Sequence, residues 1–147
     1  MTQYVRPQCG ILSSTRVTEF MHSVLVNDEI KAGRDLVAAL DEDGFDVKAA
    51  MWLHSLEHDE WKLIIASATA TKDLHSAYMQ IARILNKNMT IKEHLDLSKI
   101  KLVPPDDPII SVVGRAVKAP GLHEIRFEQN AINGVLVGDM MIYRMAA

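Results

Sequence analysis

The chain has 147 residues, 48% of them apolar and 24% charged, with a net charge of −3. That length suits one domain with a core of its own, and the apolar share is too high for a disordered chain. An acidic balance with 16 scattered basic residues argues against nucleic-acid binding, a lone cysteine rules out an internal disulfide, and no apolar run approaches the roughly 20 residues that cross a bilayer.

The opening residues lack the apolar stretch of a secretory signal. Together with Cys9 as an incidental thiol, this leads us to expect a cytoplasmic protein with no membrane contact. Residues 1–14 carry Pro7, Gly10 and Ser13-Ser14 without periodicity and read as a loosely ordered leader. Residues 15–147 read as the domain.

Val17, Phe20, Met21, Val24 and Leu25 recur at spacings of three and four. Ile30, Leu36, Val37 and Leu40 continue such a stripe. Asn27 suits an N-cap, followed by Asp28 and Glu29 where acidic groups meet the positive helix end. One long helix and two shorter ones broken near Asn27 are both compatible with this pattern. Gly44 stands where a C′ glycine ends a helix.

From Val47 to Ser67 two strands fold back over an acidic turn. Val47, Ala49, Met51 and Leu53 share one face of the first strand, and Ala50, Trp52 and His54 share the other. Trp61, Leu63 and Ile65 alternate with Ile64 and Ala66 in the second. Both faces are apolar, so each needs a cover, from helices or from a second subunit.

Thr71 suits the cap of a helix striped by Leu74, Tyr78, Ile81 and Leu85. Thr90-x-x-Glu93 matches a capping box and a short turn. Lys99 to Val103 reads as a third strand, ended by Pro104-Pro105. Asp106-Asp107-Pro108 is a specific helix start, and Ile109, Val112, Val113 and Ala116 would be its buried stripe. A second hairpin, Leu122–Ile132 and Val135–Met145, turns at Asn133-Gly134. The order αββαβαββ defines an α+β domain on a five-stranded mixed sheet, with helices packed on it and some parallel pairing at the third strand.

His54, Glu57, His58 and Asp59 form the densest group of reactive side chains. Imidazole and carboxylate suit zinc or manganese, and His54, His58 and Asp106 are the weak candidates for a metal. A solvated hairpin tip explains the same residues more simply. Asp106 and Asp107 could share a cation, but a proline directly after them favours capping. Pro105-Asp106 with Glu124-Ile-Arg126 faintly resembles the PD-(D/E)xK nucleases, with Arg126 in place of the lysine. Trp52 and Trp61 suit either core packing or a contact surface. No phosphate loop, nucleophile elbow or Cys-x-x-Cys pair occurs.

Asp28–Asp41, Gly44-Phe45, Ala49–Leu53, Trp61–Ser67, Pro105–Pro108 and Gly134 to Arg144 together resemble a family of small, uncharacterised bacterial proteins. The likeness runs from about residue 27 to the end. It implies that Arg34, Trp52, Trp61 and Tyr143 belong to a pattern, and it supplies no catalytic residue.

With no catalytic constellation in view, the expectation is a non-enzymatic interaction module that forms a homodimer or takes another protein partner and needs no cofactor. Its interface is expected around Trp52, Trp61, Met140 and Ile142. One alternative is a metal-dependent hydrolase or nuclease using His54, His58 and Asp106. The other is a nucleic-acid accessory protein, which needs a basic patch from Arg34, Lys48, Lys62 and Lys72.

Overall fold

A computed structural model describes residues 25–55, 57–128, 131–132, 135–136 and 138–147. The leader, the stripe from Val17 to Val24 and the Asn133-Gly134 turn lie outside the described residues.

Helix α1 spans Asn27–Glu42. Its N-cap is Val26, one residue earlier than expected, because the Glu29 side chain accepts a hydrogen bond from the Val26 N–H at 3.3 Å. Gly44 ends it at φ +79°. Phe45 N–H reaches back to Leu40 O at 2.9 Å and Gly44 N–H to Asp41 O at 3.2 Å, which is the Schellman arrangement.

Strands β1 (Val47–Ser55) and β2 (Glu60–Ser67) pair antiparallel. A short helix α2 (Ala68–Lys72) and the longer α3 (Leu74–Lys87) follow. Thr71 lies inside α2; the cap of α3 is Asp73, whose carboxylate accepts from Ser76 N–H at 3.2 Å. The buried face of α3 is Ala77, Ile81, Ile84 and Leu85, while Leu74 is 48% exposed. The helical turn α4 (Met89–Lys92) forms where a capping box was expected, but its N-cap is Asn88, without a side-chain cap, and Thr90 sits within the turn. A 3-10 turn (Leu97–Lys99) leads into β3 (Ile100–Val103), which runs parallel to β2.

Helix α5 (Pro108–Ala116) starts as its sequence implies: Asp107 accepts from Ile109 N–H at 3.2 Å and Pro108 takes the first helical position. Its stripe is rotated from the expected one. Ile110, Val113 and Gly114 are buried, Ile109 and Val112 are half-buried, and Ala116 is exposed. The cap fixes where the first turn begins and so which residues face inward.

The second hairpin contains β4 (Ile125–Phe127) and β7 (Met140–Met145), with the small pair β5 (Ala131–Ile132) and β6 (Val135–Leu136) towards its tip. The main sheet runs β3-β2-β1-β7-β4. It is mixed, since only β2 and β3 are parallel. The chain is therefore an α+β domain on a five-stranded mixed sheet, with helices over both faces.

One face carries Trp52, Leu63, Ile65, Met141 and Tyr143 against α1, α3 and α4. The other carries Ala49, Met51, Ile64, Ala66, Met140 and Ile142 against α5. A bulge at Lys48 moves Val47 to the α1 side, away from Ala49 and Met51. Two residues then oppose one, and the alternation slips by a step. A second bulge in β7, between the pairs Ala50–Arg144 and Met51–Ile142, leaves Tyr143 unpaired in the ladder.

Candidate functional site

The β1–β2 turn is held from within. Asp59 adopts φ +48°, a left-handed conformation that aspartate tolerates. Its N–H reaches Ser55 O at 2.9 Å. The Ser55 hydroxyl oxygen accepts from His58 N–H at 3.1 Å. His54 Nε2 shares a hydrogen bond with Asp59 Oδ1 at 2.8 Å, and its ring tilts against Trp61 with centroids 5.2 Å apart. This geometry uses imidazole, carboxylate, hydroxyl and indole to build a loop. The Ser55 hydroxyl, the nearest candidate nucleophile, serves here as an acceptor for the turn backbone.

The candidate metal ligands do not converge. His58 is exposed and pairs with its neighbour Glu57 at 3.2 Å. Asp106 follows β3, which runs parallel to β2, so it lies at the end of the sheet opposite the β1–β2 turn. Eight residues of β2 span roughly 26 Å. Among the described residues no three histidine, cysteine or acidic side chains are grouped to hold an ion. The nuclease-like pair separates as well. Asp106 leaves one edge strand and Glu124 enters the other, and Glu124 is bound to Arg34 at 2.9 Å.

Three of the four cations of the basic-patch expectation lie beside an acidic side chain. Arg34 is held by Glu124, Lys48 lies 3.4 Å from Asp46, and Lys62 lies 3.8 Å from Glu60 while donating to Ser98 O. An open groove of about 290 Å³ lies between α1 and α4, with Asp35 and Glu42 among its walls. It takes in none of the candidate residues.

Of the expected interface residues, Trp52 and Ile142 are fully buried and Met140 is 1% exposed. They lie in the central strands, on opposite faces of the sheet. Trp61 alone keeps part of its surface open.

Trp52 instead joins a buried polar network. Its indole N–H donates to the Tyr143 hydroxyl at 2.9 Å, and that hydroxyl donates to the carbonyl of Ile30 in α1. Burial pushes the Tyr143 phenol well above its usual range. Gly33 lies directly over the pair. A Cβ there would stand 2.6 Å from the Tyr143 oxygen and 2.8 Å from the Trp52 nitrogen. Beside it, Arg144 grips Asp41 with both terminal nitrogens at 2.8 Å and also reaches Gly121 O at 3.2 Å. The bond to Asp41 raises the Arg144 guanidinium above its ordinary value.

Sequence reasoning singled out Tyr143 and Trp52 but missed Gly33, Asp41 and Tyr78. Gly33 did leave a signal. A glycine inside a helical stripe costs about 1 kcal/mol relative to alanine, so it marks a close approach. Asp41 and Tyr78 carry no such mark, since their partners are far away in the chain.

Comparisons with protein-family models, with curated proteins and with solved structures returned no match. Among the described residues, no helix is long and apolar enough to cross a membrane.

Proposed function

We propose that the chain is a non-enzymatic interaction module that self-associates as a homodimer, working in the cytoplasm. The observation that carries this reading is the uneven cover of the sheet. One face is packed by α1, α3 and α4. Among the described residues the other has a single nine-residue helix, and Leu53, Ile109, Val112, Ile125 and Phe127 remain half-buried around it. Apolar side chains gathered at the rim of a core are what a second copy of the same surface would bury. The reactive side chains give indirect support: His54 and Asp59 are engaged in the turn, His58 and Glu57 in a surface ion pair, and Asp107 in a cap.

Sedimentation velocity at about 1–50 µM should resolve a concentration-dependent dimer. A monomer throughout that range overturns the proposal.

A further inference from the structure

The two margins of the sheet differ. At β3 the Leu102 N–H is already taken by the Tyr78 hydroxyl of α3 at 3.0 Å, and Pro104-Pro105 follow at once. Such devices bar a sheet edge from further pairing. Among the described residues, the β4 margin has no proline in Ile125-Arg126-Phe127 and no side chain hydrogen-bonded to their backbone.

The direction of the β4 backbone groups follows from two hydrogen bonds. His54 N–H donates to Asp139 O at 2.9 Å, so residue 139 turns towards β1. Antiparallel backbone alternates its direction residue by residue, so Met140 and Ile142 turn towards β4. Their partners there are Phe127 and Ile125. Two residues before Ile125, His123 likewise directs its N–H towards β7, to Tyr143 O at 2.7 Å, where the bulge shifts the alternation of β7. Arg126, between Ile125 and Phe127, therefore directs its N–H and C=O away from the sheet.

We propose that two copies join by antiparallel pairing of β4 with β4, centred on Phe127. This rests on the self-association proposed above. A two-fold pairing must set outward residues of one copy against outward residues of the other. Centred on Arg126, it stacks Arg126 on its own copy and Glu124 on Glu128, both like-charge pairs. Centred on Ile125, it sets Arg126 against Glu124, which Arg34 already holds. Centred on Phe127, it sets Arg126 against Glu128 twice, and both side chains are exposed. It also places Phe127 on Phe127 at the position where facing side chains come closest. Phe127 and Ile125 lie half-buried on the α5 side, so this register joins the two incompletely covered faces into one layer.

Sedimentation equilibrium on the full chain, with circular dichroism to confirm folding, tests the register. Arg126→Glu and Glu128→Arg should each raise the dimer dissociation constant about tenfold or more, because each turns two attractive pairs repulsive. The double variant Arg126→Glu/Glu128→Arg should return to the native value. An unchanged dissociation constant in all three variants overturns β4 pairing while self-association stands. Weakening by Arg126→Glu without recovery in the double variant overturns this register. A native chain that stays monomeric removes the self-association on which both rest.

Discussion

Gly33→Ala is the sharpest test of how α1 is seated. In an ordinary helix interior this change stabilises by about 1 kcal/mol. Here the new methyl would stand 2.6 Å from the Tyr143 oxygen and 2.8 Å from the Trp52 nitrogen. Neither atom can swing aside freely, because the hydroxyl is bound to both Trp52 and the Ile30 carbonyl. Either α1 lifts, at an overpacking cost of about 1–3 kcal/mol, or the phenol moves and leaves buried polar groups unpaired at about 1–3 kcal/mol. Set against the propensity gain, the net expectation is a loss of about 0–2 kcal/mol where an ordinary helix site would gain about 1. Equilibrium urea unfolding followed by tryptophan fluorescence measures it. Tyr143→Phe removes the nearest clashing atom, so the combined loss should fall short of the summed single losses by about 1 kcal/mol or more. A Gly33→Ala chain stabilised by about 1 kcal/mol, as at an ordinary helix site, or strict additivity with Tyr143→Phe, would refute the close approach.

The Tyr143 phenol sets an alkaline limit. Its folded value lies above its unfolded value, so its contribution is complete below about pH 10 and is lost as pH rises beyond that. Tyr143→Phe should start from a lower stability yet decline less steeply between about pH 9.5 and 11; parallel slopes would contradict this. Arg144→Lys keeps the charge but loses the two-pronged grip on Asp41, and should cost about 1–2 kcal/mol in urea unfolding. A Lys variant matching the native midpoint would show the fork to be dispensable. Asp107→Ala removes the α5 cap and should cost about 1 kcal/mol, whereas Asp106→Ala should leave the thermal midpoint within error; equal effects would mean the cap is misassigned.

Local chemistry carried most of the fold. The Asp107-Pro108 start, the Gly44 stop and the alternation of β1 and β2 were legible because neighbours a few residues apart determine them. What escaped was set by distant partners. The identity of the α3 cap and the phase of the α5 stripe turned on offsets of one or two residues, which periodicity does not resolve. The bulges at Lys48 and Tyr143 depend on how three strands share a ladder. Trp52 and Met140 read equally well as core or contact surface, and only their place in central strands separates the two. His54 and Asp106 could be joined on paper because the parallel course of β3, which drives them to opposite ends of the sheet, is a property of topology.

The insertion of β7 between β1 and β4 shapes the route by which the chain reaches this arrangement. The β1–β2 hairpin needs only its own turn, but Trp52 and Tyr143 are 91 residues apart, and closing so long a span is slow relative to local pairing. The expectation is that the polar lock under α1 closes after the rate-limiting barrier. Loosening it at Gly33 should hasten escape from the native state and leave the refolding limb of the chevron where it was. The clasp would act as a brake on opening, and a slower refolding limb would show that it forms early.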